Sequence, residues 1–87
     1  MYEIIYTKRT LEAIPKLKAA KLHRRAMELI DIIRENPYQT PPAYEKLSGN
    51  MQGAYARRIN IQHRLVYEVL EDTRQIKIIS MWSHYAF

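Results

Sequence analysis

The sequence predicts an α+β domain: two early helices packed on one face of a small twisted antiparallel sheet, in the order β-α-α-β-β-β. Three observations carry this. Leu22, Ala26, Leu29, Ile30 and Ile33 recur at i, i+4, i+7, i+8 and i+11, the stripe of an amphipathic helix. Leu65, Tyr67 and Val69 alternate with Arg64, Val66 and Glu68, the period of a half-buried strand. Short polar reversals then join consecutive late strands, which makes an antiparallel meander. At 87 residues the chain holds one core and one domain, residues 1–87.

Residues 2–6 read as a strand, being rich in aromatic and β-branched side chains. Thr7 is placed to cap a helix that starts at Lys8. Leu11, Ile14, Leu17 and the stem of Lys18 supply its apolar stripe. Pro15 removes the hydrogen bond to the Leu11 carbonyl, so a kink or an end is expected near Ile14. A second helix is expected over 19–35, with Arg24, Arg25, Glu28, Asp31 and Arg34 on its wet face. Asn36-Pro37 closes it, because the residue before proline leaves the helical region.

Residues 37–53 change character. Pro37, Pro41, Pro42, Gly49 and Gly53 exclude long regular structure. A loop this long in a domain this small is a functional candidate, and Tyr44 and Leu47 are suited to pin it to the core. Strands follow at 54–61, 64–70 and 75–83, with a reversal at 71–74. Burying Leu65, Tyr67 and Val69 turns Arg64 to the opposite, open face. The same alternation puts Arg57 on the helix side, where a helix acid would pair with it. A guanidinium on a rigid open face suits phosphate, since its planar fork donates two hydrogen bonds at once. Trp82, Tyr55 and Tyr67 read as core, and His63, at its reversal, as structural or exposed.

Hydrophobic residues make up 47% of the chain, a globular composition. There is no cysteine, hence no disulfide or thiolate metal site. His23, His63 and His84 have no metal-ligand spacing, so neither a metal nor a cofactor is expected. No apolar run approaches the roughly 20 residues of a membrane span. Residues 1–6 lack the form of a signal peptide, and a cytoplasmic location is expected. The net charge of +5 points to an anionic partner, nucleic acid or an acidic protein. Lys8, Arg9, Lys16, Lys18, Lys21, Arg24 and Arg25 concentrate that charge in residues 8–25, against Glu12 alone.

Tyr44-Glu45-Lys46-Leu47, Arg57-Arg58-Ile59, His63-Arg64-Leu65-Val66-Tyr67 and Trp82-Ser83-His84-Tyr85, in that order and spacing, resemble the YoeB/Txe toxins of the RelE/ParE superfamily. The resemblance spans about residues 22–85 well and the first helix loosely. It implies a RelE-like fold and a ribosome-dependent endoribonuclease that cuts mRNA in the A site. It implies an acidic YefM/Axe-like antitoxin as partner and operator DNA bound through the antitoxin complex, and it admits a homodimer. The family's catalytic Glu, Arg, His and Tyr match Glu45, Arg64, His84 and Tyr85, and a further family arginine matches Arg58. Lys46, Lys8, Arg9, Arg24 and Arg25 join Arg58 as expected RNA contacts. Two departures stand out: Ala86-Phe87 follows the His-Tyr pair, and Ser48 occupies a position that is often lysine in the family.

The implied chemistry is coherent. RNA is cut without metal when its 2′-hydroxyl attacks the adjacent phosphate, which needs a base, an acid and positive charge on the phosphate. Glu45 fits the base, His84 the acid and Arg64 the charge, while Tyr85 fits base stacking or phosphate positioning. Taken singly, each has an ordinary alternative: a solvated loop carboxylate, a frayed end, a surface ion pair worth under about 1 kcal/mol. Two other functions stand beside the nuclease: a ParE-like gyrase-inhibiting toxin, and a non-catalytic nucleic-acid-binding co-repressor. Only the nuclease requires the Glu45, Arg64 and His84 set.

Overall fold

The computed structural model describes residues 1–82. Strand β1 (Glu3–Tyr6) leads through Thr7 into helix α1 (Lys8–Ala19), followed by helix α2 (His23–Glu35). The chain then crosses to the far edge of the sheet at β2 (Glu45–Lys46) and returns strand by strand. β3 (Ala54–Arg58) and β4 (Arg64–Leu70) lead to β5 (Gln75–Ser80), which lies beside β1. The sheet order is β1-β5-β4-β3-β2. Its four later strands are antiparallel, but β1 runs parallel to β5 with Ile4 opposite Ile76 and Tyr6 opposite Ile78. The sheet is therefore mixed, not purely antiparallel. The helices separate β1 from the meander and allow a parallel return that a short reversal could not make.

Thr7 caps α1 as expected: its Oγ1 accepts the Thr10 amide at 3.3 Å and donates to the Ile78 carbonyl at 3.1 Å. The helix runs through Pro15 without ending. Pro15 lies on the wet face and Leu11, whose carbonyl loses its partner, is 53% exposed, so water can satisfy the orphaned group. The buried face of α1 is Thr10, Ala13 and Leu17, with Leu11 outside it. The break before α2 is a Schellman turn. Lys21 sits in the left-handed region at φ 61, its amide bonding the Lys18 carbonyl while the Leu22 amide bonds that of Leu17. This turn moves the start of α2 from residue 19 to His23.

Both helices cover one face of the sheet. Leu17, Ala26, Leu29, Ile30 and Ile33 meet Leu65, Tyr67, Ile76, Ile78 and Met81 in a single core. The opposite face carries a smaller cluster, Leu47, Ala54, Ala56 and Val66, with Met51 and Ile79 against it. Leu47 thus pins the proline-rich segment on the open side. Tyr44 pins it on the helix side, edge-on to Tyr55 at 5.6 Å. β3 stops at Arg58 and β5 at Ser80, both short of the expected ends.

Candidate active site

β3 and β4 pair in register with Arg58 opposite Arg64. Their connection is held by Asn60, whose Oδ1 accepts the amides of Gln62 at 2.9 Å and His63 at 2.7 Å. The Ile59 amide closes the turn on the His63 carbonyl at 2.9 Å. Arg64 donates from Nη1 to the Asn60 carbonyl at 3.3 Å, which restrains its guanidinium beside the turn. Like charges directly opposite on a sheet disfavour the pairing.

β2 adds the carboxylate. Glu45 pairs with Ala56, two residues from Arg58 and on the same face of β3. Glu45, Arg58 and Arg64 line one cleft of about 420 Å³ at the rim of the sheet. Pro42, Ala43 and Tyr44 wall it on one side, and Arg25 reaches it from α2. Three guanidinium groups and one carboxylate therefore share this cleft. Such a concave site with convergent charged groups is suited to a phosphodiester.

The other expected RNA contacts scatter. Lys46 alternates with Glu45 and faces away from it. Arg24 is 95% exposed and pairs with Glu28 at 3.6 Å, as Arg25 does. Lys8 is an exposed residue of the first turn of α1. Arg9 lines a separate cleft with Glu12, Lys16 and Trp82. His84 and Tyr85, like Ser83 and the Ala86-Phe87 ending, lie outside the described residues. His63 is buried and stacks on Trp82 with ring centroids 4.0 Å apart, which bears out a structural role for both.

Arg57 corrects an expectation. It lies on the helix side, fully buried, but no helix acid pairs with it: Glu28 and Asp31 are taken by their own helix neighbours. Its Nε donates to the Tyr67 hydroxyl at 3.0 Å, Nη1 to the Pro42 carbonyl at 2.6 Å and Nη2 to the Pro37 carbonyl at 2.9 Å. The Tyr67 hydroxyl donates to Pro37 as well, at 2.8 Å. Burial raises the Tyr67 pKa above the ordinary phenol value despite the opposing pull of Arg57. Alternation along β3 could place Arg57 inside, but its partners are carbonyls of a loop whose path the sequence does not encode.

The chain matches the family model for YoeB-like toxins of bacterial type II toxin–antitoxin systems over residues 12–85. The toxin YoeB of Synechocystis is 40% identical over 65 residues, covering 75% of this chain and 73% of its own. A YoeB/ParE toxin from Agrobacterium tumefaciens superposes with a TM-score of 0.86 at 25% identity, covering 95% of this chain and 99% of its own. In the YoeB–YefM complex from Staphylococcus aureus, the matching chain has a TM-score of 0.80 at 33% identity, over 98% of this chain and 99% of its own. With its fold, its helix-covered sheet and most of its length accounted for in this way, the chain belongs to the YoeB-like toxins of bacterial type II toxin–antitoxin systems.

Proposed function

We propose that the protein is a ribosome-dependent mRNA endoribonuclease that cuts A-site mRNA by attack of a 2′-hydroxyl on the adjacent phosphate. The observation that carries this reading is the shared cleft of Glu45, Arg58 and Arg64. Glu45 takes the proton of the attacking hydroxyl. Arg64 and Arg58 hold the phosphate oxygens as negative charge builds on them, where fixed donors act most strongly. His84 gives its proton to the departing 5′-oxygen, and Tyr85 positions the base or phosphate. The products are a 2′,3′-cyclic phosphate and a 5′-hydroxyl, with one proton taken and one returned and no metal needed.

Free RNA should be a poor substrate. A flexible strand must be held in line before attack, and that ordering is worth orders of magnitude in rate. The ribosome supplies it, and the basic residues of α1 and α2 are suited to ribosomal RNA. A small acidic antitoxin is the expected inhibitor, in keeping with the antitoxin partner named for the Staphylococcus aureus relative. The open edge of β1 and the sheet face away from the helices are suited to a strand or peptide of such a partner. Binding of operator DNA through that complex, and a homodimer of the free toxin, belong to the same proposal.

A gyrase-inhibiting role, suggested by the ParE in the name of the Agrobacterium tumefaciens neighbour, needs neither Glu45 nor Arg64 in a cleft. Induction of the wild type and of His84→Gln in bacteria, with mapping of mRNA 5′ ends, separates the two. The nuclease reading expects codon-phased 5′-hydroxyl ends and growth arrest in the wild type, and neither in the variant. Growth arrest that persists in His84→Gln without such ends overturns it.

A further inference from the structure

We propose that Arg57 is a positioning residue for Glu45, a buried guanidinium that clamps the proline-rich segment ahead of β2 and so fixes the carboxylate in the cleft it shares with Arg58 and Arg64. The proposal rests on the nuclease reading of the cleft.

The segment cannot anchor itself. Pro37, Pro41 and Pro42 have no amide hydrogen. The amides of Tyr38 and Gln39 bond back to Asn36 and reach no strand. Donors must come from elsewhere, and Arg57 provides them to both ends, Pro37 and Pro42. Its guanidinium also lies 5.0 Å from the centre of the Tyr44 ring, the residue next to Glu45. Beyond that point the carboxylate is tied to the sheet by the two-residue strand β2 and by Leu47, whose amide bonds the Ala54 carbonyl at 3.0 Å. Burying a guanidinium on neutral acceptors is unfavourable compared with an apolar side chain of similar size. A fold that retains it there gains placement rather than stability.

The two anchors are unequal. Pro37 also accepts from the Tyr67 hydroxyl and keeps that bond without Arg57. The Pro42 carbonyl is held by Arg57, and Pro42 is the anchor three residues ahead of Glu45. Loss of Arg57 should therefore loosen residues 43–46 and spare the Pro37 end. Lysine cannot replace it, because one ammonium cannot span two separated carbonyls and a hydroxyl.

The test compares Arg57→Met, Arg57→Lys and Tyr67→Phe in the full chain by amide hydrogen exchange and by single-turnover cleavage of ribosome-bound mRNA. With Arg57→Met, exchange at Tyr44, Glu45 and Lys46 should accelerate by more than about tenfold while α2 and β4 keep their protection. The saturating cleavage rate should fall about 10- to 100-fold with half-saturation changed by less than about threefold, since misplacement harms the chemical step. Arg57→Lys should give the same losses, and Tyr67→Phe should keep cleavage within about threefold. If the methionine variant fails to fold, the lysine variant decides. Exchange at residues 44–46 and cleavage both within about twofold of wild type in either Arg57 variant overturn the clamp. If the wild type itself cuts no ribosome-bound mRNA, the nuclease reading fails and the exchange comparison still decides the clamp.

Discussion

Arg58 and Arg64 oppose each other across two paired strands, and their mutual repulsion weakens the hairpin that holds them. Under the proposed function, a phosphate between them would offset that repulsion. The arrangement leads to a paired expectation for Arg58→Gln. Removing one charge should stabilise the free protein by about 0.2–1 kcal/mol at low salt and less as salt rises. The same change should slow mRNA cleavage by about tenfold or more, because a charge-assisted bond to the phosphate is lost. Thermal unfolding at two salt concentrations checks the first part and single-turnover cleavage the second. Lower stability in the variant, or undiminished cleavage, would contradict this account of the pair. At this scale alternation made Arg64 and Arg58 legible as open-face residues. Arg57 was legible as inward-facing but not as a loop anchor, since its carbonyl acceptors come from Pro37 and Pro42, far away in sequence.

Elements show the same division between local and long-range information. α2 announced its core face residue by residue, and Thr7 announced the start of α1, because caps and stripes are local. The Schellman turn was hidden because Lys21 occupies a position that usually belongs to glycine. Lysine there carries a left-handed penalty, so Lys21→Gly should raise stability by about 1 kcal/mol. For a domain of this size that corresponds to roughly 4–8 °C in melting temperature. A calorimetric scan showing no gain would mean the turn is not strained as described. β2 is not legible in the sequence, since two residues carry no period and its place depends on Leu47 packing over Ala54, Ala56 and Val66. α1 passes Pro15 for a tertiary reason: the lost hydrogen bond falls on the solvent side, and burial of Ala13 and Leu17 continues on the other.

On the scale of the whole molecule, the parallel pairing of β1 with β5 joins the two ends of the chain. No local pattern specifies it, which is why the sheet reads as antiparallel from sequence and is mixed in the fold. That closure leaves the meander's other edge free for β2, and β2 brings Glu45 to the arginines of β3 and β4. Under the proposed function, the positive charge of α1 and the cationic cleft together suit a large anionic particle carrying a strand to be cut, with binding that weakens steeply as salt rises. The central claim is that this carboxylate, in one cleft with those guanidinium groups, removes a proton from RNA. Single-turnover cleavage of ribosome-bound mRNA by wild type and Glu45→Gln, at equal thermal stability, tests it most directly. The account predicts a rate about 10²–10⁴-fold lower in the variant, the span of a lost general base. A folded Glu45→Gln protein that cuts within about twofold of the wild-type rate would contradict it.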